Sequence, residues 1–150
     1  MKDLQDLLQP KAIFLDIAGK DKFDVIHQII TKMGDLGLVQ DTVQFEEEVI
    51  QREREIPTGL QTGTALPHAR SKVVSEIVMA FARLKEGVDF GASDSEPAKL
   101  IFLFGVPNDQ INEYLKLAAK LCRLLKQKKF RRKLLDAKSA NQIIKILSIP

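Results

Sequence analysis

Two short apolar runs, Ile77-Val78-Met79-Ala80-Phe81-Ala82 and Leu100-Ile101-Phe102-Leu103-Phe104, constrain this chain more than anything else in it. Neither alternates polar with apolar residues and each ends at turn-forming residues, so both are predicted as strands covered on two faces. Such strands need layers above and below them, and the flanking sequence supplies helices. One helix is predicted over about Lys20 to Leu36, where Phe23, Ile26, Ile30 and Met33 recur at helical spacing and Gly34 and Gly37 mark the end. Asp41 reads as the N-cap of a second, running to about Arg54 and stopped by Pro57. After Pro107 a third carries Tyr114, Ala118, Leu121 and Leu125 on one stripe. A short helix over Phe130 to Ala137 and a last one capped by Ser139 follow. Ile13-Phe14-Leu15 reads as a strand or entry segment, Thr58 to Thr64 as a loop, and Glu86-Gly87 and Gly91 to Pro97 as turns around a short Val88-Asp89-Phe90 strand. Helices on both sides of a central pair of strands predict one α/β domain over residues 1–150, a sheet sandwiched by helices.

Composition excludes several classes of function. With 45% hydrophobic and 29% charged residues the chain is globular, not disordered. Cys122 is its one cysteine and His27 and His68 are its two histidines, far apart in sequence, so neither a disulfide framework nor a metal centre is expected, and no cofactor motif is present. No apolar run approaches the roughly 18 residues of a membrane span. The first residues, Met1-Lys2-Asp3-Leu4-Gln5-Asp6, lack the apolar core of a signal peptide, so a cytoplasmic location without membrane insertion is expected. The net charge of +3 is uneven: Lys126, Lys128, Lys129, Arg131, Arg132 and Lys133 fall together, and the remaining 17 basic and 20 acidic residues leave −3. The patch is read as a solvated helix face with Phe130, Leu134 and Leu135 on its apolar side, and nucleic-acid binding is not expected, because aromatics for stacking and a recognition motif are both lacking.

Chemistry concentrates in Arg52-Glu53 and the segment Thr58-Gly59-Leu60-Gln61-Thr62-Gly63-Thr64-Ala65-Leu66-Pro67-His68-Ala69. Pro67 fixes its own φ and pushes Leu66 toward extended backbone, so His68 leaves a stiff, defined strand exit. Gly59 and Gly63 would let backbone N–H groups approach an anion, and Thr58, Thr62 and Thr64 add hydroxyls. Neutral imidazole is a nucleophile suited to accepting and releasing a phosphoryl group. Arg52 stands at i+7 from Phe45 and i+3 from Val49, which places it on their core-facing stripe, where a guanidinium needs an anionic partner. Its alternative role is that of a cation at a helix C-terminus. His27 and Cys122 are read as structural residues.

The pattern Arg-Glu, a short gap, then Thr-Gly-x-x-x-Gly-x-Ala-Leu-Pro-His-Ala resembles the signature of enzyme IIA domains of the bacterial phosphotransferase system, fructose/mannitol type, a group that includes the nitrogen-regulatory enzyme IIA proteins. The resemblance extends over nearly the whole chain. It implies a mixed sheet sandwiched by helices and a phosphotransferase that carries phosphate on His68, received from a small histidine phosphocarrier protein. It maps the family's arginine to Arg52 and its Thr-Gly loop to Thr58-Gly59. Family members commonly carry a second histidine, as His-Leu, where this chain has Tyr114-Leu115. A tyrosine donates one hydrogen bond to a phosphoryl oxygen but brings no positive charge at neutral pH. The implied acceptors are an enzyme IIB, for sugar uptake, or regulated protein targets. The tyrosine and the absence here of a fused enzyme IIB or a membrane-spanning segment lean toward regulation.

Overall fold

The structure, a computed structural model, describes residues 2–148. Its helices are α1 (Leu4–Leu7), α2 (Lys22–Asp35), α3 (Thr42–Glu55), α4 (Ile111–Leu125), α5 (Lys128–Asp136) and α6 (Ala140–Leu147), with a single 3-10 turn at Pro10–Ala12. Its strands are β1 (Ile13–Ile17), β2 (Gly59–Leu60), β3 (Thr64–Ala65), β4 (His68–Arg70), β5 (Val78–Val88) and β6 (Ala98–Val106). The helix starts follow from capping chemistry. The carboxylates of Asp21 and Asp41 accept from the backbone N–H groups of Asp24 and Gln44 at 2.8 and 3.0 Å, and the Ser139 hydroxyl from that of Gln142 at 3.2 Å.

The two apolar runs form the antiparallel centre of the sheet, β5 against β6, with Phe81 opposite Phe102 and their rings 4.8 Å apart. β1 joins β5 in parallel, and β3 and β4 both join β6 in parallel, so the sheet is mixed and its main path runs β1-β5-β6-β3-β2. Val78 to Ala82 and Leu100 to Val106 are buried without a break. Adjacent strand residues point to opposite faces, so both faces of the sheet are covered by helices. One hydrophobic core results, from Leu4 at one end of the chain to Leu147 at the other.

Two sequence expectations are corrected. Glu86-Gly87 is not a turn, and Val88 is not the start of a separate strand. β5 runs on to Val88 through a register shift after Arg83, and a Cβ on Gly87 would lie 2.6 Å from Pro97 Cβ, so glycine there admits the next segment. Thr58 to Thr64 is not an open loop but a tight antiparallel hairpin, β2 on β3, with Gly59 opposite Ala65.

Candidate functional site

His68 opens β4, whose register sets it opposite Phe104 of β6. The stiff Leu66-Pro67 exit has a specific result: His68 Nδ1 lies 2.9 Å from the Leu66 carbonyl oxygen. A carbonyl only accepts, so Nδ1 carries the proton and donates it. Nε2 is then left with its lone pair on the half-buried ring. The Tyr114 ring sits at 5.3 Å from the imidazole, tilted by 32°, and meets Phe104 edge-on at 5.2 Å. Tyr114 is buried, and no partner for its hydroxyl is found among the described residues. Burial pushes its phenol well above the ordinary tyrosine range, the neighbouring Cys122 thiol adds to the rise, and the positive charge of Arg52 acts against it. Tyr114 is therefore a neutral hydrogen-bond donor throughout the physiological range.

The imidazole faces a cleft of about 650 Å³ whose walls include Arg52, Arg70, Glu48, Tyr114 and Leu115. The structure thus brings His68, Arg52 and Tyr114 to one cavity. It corrects the orientation expected for Arg52, which is exposed and does not continue the Phe45 and Val49 stripe. Among the described residues its guanidinium enters no ion pair, so its fork faces the cleft free.

The residue that turns inward is Glu53, four positions after Val49, and its side chain is 0% exposed. A buried carboxylate is tolerated only when its oxygens are satisfied. One oxygen accepts from the Thr58 backbone N–H at 2.8 Å and from Lys22 Nζ at 3.2 Å, and the other from the Thr58 hydroxyl at 2.6 Å. Glu53 thereby ties α2, α3 and the start of the hairpin together. Sequence reasoning quoted it as part of a motif without giving it work. The signal was its i+4 spacing from Val49, which is the better continuation of a buried stripe.

Thr58 and Gly59 do not line the cleft. The Thr58 hydroxyl is engaged by Glu53, and the Gly59 N–H donates to the Phe90 carbonyl at 3.0 Å. Glycine is needed at 59 because a Cβ would stand 2.6 Å from that same Phe90 oxygen. Further round the hairpin the Thr62 N–H donates to the Asp94 carboxylate at 2.8 Å, and with the Glu96 N–H it holds that carboxyl below the usual range. The Thr62 and Thr64 hydroxyls both turn back to the Gln61 carbonyl. The threonine hydroxyls and the Gly59 and Thr62 N–H groups therefore hold the hairpin's shape.

The other singled-out residues lie apart. His27, exposed on α2, pairs through Nδ1 with Glu46 of α3 at 2.6 Å. Cys122 is half-buried, and burial raises its thiol. Among the described residues no three His, Cys, Asp or Glu side chains gather as metal ligands, and no helix is long and apolar enough to cross a membrane.

A mixed sheet covered by helices, presenting one tautomer-fixed imidazole and an unpaired arginine in an open cleft, defines a small α/β module with its histidine set in a cleft. Comparison with known proteins makes that class specific. The family described as "Phosphoenolpyruvate-dependent sugar phosphotransferase system, EIIA 2" matches residues 6–149, and the chain belongs to it. The fructose-specific EIIA component of Haloferax volcanii is 33% identical over 146 residues, covering 97% of this chain and 95% of that protein. The fructose-specific EIIABC component of Bacillus subtilis is also 33% identical, over 145 residues; they are 97% of this chain but only 23% of that longer protein. Among solved structures, the nitrogen regulatory protein IIA-Ntr from Neisseria meningitidis superposes with a TM-score of 0.89 at 30% identity, covering 97% of this chain and 99% of that one.

Proposed function

We propose that the protein is a phosphohistidine carrier that accepts phosphate on Nε2 of His68 from a histidine phosphocarrier protein. The observation that carries this reading is the 2.9 Å hydrogen bond from Nδ1 to the Leu66 carbonyl, which fixes the tautomer and leaves Nε2 nucleophilic. The Nε2 lone pair attacks phosphorus and forms the new N–P bond. The donor's N–P bond breaks, and its electron pair stays on the donor imidazole. No proton leaves Nδ1 in the transfer. Arg52 supplies a guanidinium fork to the phosphoryl oxygens, and the neutral Tyr114 hydroxyl offers one more donor.

The output we favour is regulation of the nitrogen-regulatory type. Phosphate brings up to about two negative charges, and Tyr114 carries no compensating cation with which to stabilise their onward transfer. A sugar-specific enzyme IIA passing phosphate to an enzyme IIB is the second reading, supported by the fructose-specific names of the relatives 33% identical to the chain.

Incubation with phosphoenolpyruvate, enzyme I and a phosphocarrier, followed by intact mass, tests the first step. One acid-labile, base-stable phosphoryl group is expected on the wild type, none on His68→Ala, and an unchanged load on His27→Ala. Phosphorylation of His68→Ala overturns the assignment. A transfer assay to fructose- and mannitol-type enzyme IIB domains separates the two outputs: poor transfer by the wild type, improved in Tyr114→His, supports regulation, and rapid transfer by the wild type supports sugar uptake.

A further inference from the structure

Three of the six residues of the basic patch, Lys129, Arg132 and Lys133, line a groove rather than only a solvated helix face. Lys129, Arg132 and Lys133 of α5 and Lys145 of α6 ring a cavity of about 570 Å³ between the two helices. Its floor is apolar, made by Ala137, Ile146 and the methylene stems of the lysines. Asp136 is the one acid in the lining, and it is held by Arg132 at 3.4 Å. Among the described residues Lys129, Lys133 and Lys145 enter no ion pair, so three cations stand around an apolar trough without a counter-charge.

The groove is preformed. Arg83 of β5, whose side chain is only 11% exposed, donates from Nη1 to the carbonyls of Leu134, Leu135 and Ala137 at 3.1, 3.2 and 2.6 Å. Those are orphan acceptors at the C-terminal end of α5, and one guanidinium pins them to the sheet. The Lys138 N–H donates to the Gln142 side chain, which holds the α5–α6 turn. A partner meeting this surface has little ordering cost to meet.

We propose that the α5–α6 groove docks an acidic, amphipathic segment of a partner protein, apolar side chains in the trough and carboxylates on the lysine rim. Charge complementarity selects that occupant. A phosphate backbone offers nothing to fill an apolar floor, and no exposed aromatic stands by to stack on bases: Phe130, the aromatic of α5, is buried. A membrane surface would need apolar anchors, but among the described residues the exposed large hydrophobics Val43, Ile56 and Leu115 all lie outside α5 and α6. The groove shares no lining residue with the His68 cleft. Arg83, which holds the groove, pairs with Leu100 near one end of β6, whereas His68 pairs with Phe104 near the other. A partner docked there leaves the histidine accessible.

Fluorescence anisotropy with the full chain tests this. The probe is a labelled helical peptide with Glu on one face and Leu on the other. Comparison ligands are the same peptide with Gln for Glu, a thymidine oligonucleotide of equal charge, and vesicles containing phosphatidylserine. The expected result is binding of the Glu peptide that weakens about tenfold or more in Lys129→Glu/Lys133→Glu/Lys145→Glu and on raising salt from about 50 to about 300 mM. Circular dichroism checks the variant's fold. The neutralised pair Lys133→Gln/Lys145→Gln should show the same loss at smaller size. Phosphate loading of His68 should be unchanged in both variants, so the two proposals fail separately. No binding of the Glu peptide, equal binding of the Gln peptide, undiminished binding by the variants, or tighter binding of the oligonucleotide or vesicles overturns the proposal.

Discussion

The hairpin from Gly59 to Ala65 and the cleft around His68 are built from adjacent stretches of chain and treat their polar groups in opposite ways. In the hairpin the threonine hydroxyls, the Gly59 N–H and the Thr62 N–H all have protein partners. At the cleft Nε2 of His68, the Arg52 guanidinium and the Tyr114 hydroxyl have none among the described residues. Neighbours in sequence even divide the labour: Glu53 is buried with three donors around its carboxylate, while Arg52 beside it faces the cavity. A polar motif is thus half scaffold and half instrument. The unpartnered groups, not the richness of the motif in glycine and threonine, mark the instrument.

The largest effect should come from breaking the scaffold. Glu53→Ala strips the acceptors from Thr58 and leaves Lys22, only 18% exposed, without its counter-charge. A loss of about 3 kcal/mol in denaturant unfolding is expected, and a loss below ~1 kcal/mol would show that the network contributes no more than a surface pair. Arg52→Lys touches the instrument. It should leave unfolding unchanged but slow phosphate acceptance about tenfold, through loss of the bidentate fork. Equal rates in rapid-quench phosphorylation would reduce Arg52 to a helix-terminal cation. Gly59→Ala sets a methyl against the Phe90 oxygen and should cost about 1–3 kcal/mol of stability. Folded protein should still take a full phosphate load at low temperature; a lost load would return Gly59 to the site.

Tyr114 gives the smallest effect at neutral pH. Its proton is held more firmly in the folded protein than in the unfolded chain, so its contribution is complete below the ordinary tyrosine value near 10 and is lost as pH rises beyond it. Tyr114 is the only tyrosine and there is no tryptophan, so phenolate absorbance follows it alone. Titration should lag beyond the ordinary value until the protein unfolds in alkali. Tyr114→Phe should match the wild type at neutral pH and lose less stability above pH ~10; phenolate appearing at the ordinary value in folded protein would show that the ring is not buried.

The architecture was legible because unbroken apolar runs have few homes and capping residues announce helix starts. Asp41 and Ser139 act in the structure as their chemistry suggests, while the cap of α2, Asp21, lies one residue inside the start expected at Lys20. The position of His68 at a defined strand exit was legible because proline presentation is a local property. The inward turn of Glu53 was not, since Arg52 and Glu53 both fall within a helical step of Val49 and only the presence of Thr58 and Lys22 decides between them. Nor were the real duties of Thr58 and Gly59, because their partners, Glu53 and Phe90, are supplied by tertiary contacts. The continuation of β5 through Gly87 likewise depends on Pro97 passing beside it.

The bond from His68 Nδ1 to the Leu66 carbonyl closes within three residues of chain, and a phosphoryl group on Nε2, as proposed, would leave both of its partners in place. On the proposed function, loading the ring would then need no change in that bond, and the message would be written in charge rather than in shape. A reader of that message distinguishes the two forms electrostatically, over about 8 Å at physiological ionic strength and less in stronger salt. Reciprocity follows. Whatever factor separates the reader's affinities for the two forms, the bound reader shifts the phosphorylation equilibrium of His68 by that same factor. If the proposed regulatory output holds, a listener that prefers the bare imidazole would help to keep it bare, and the occupancy of the histidine would respond to how many such listeners are bound.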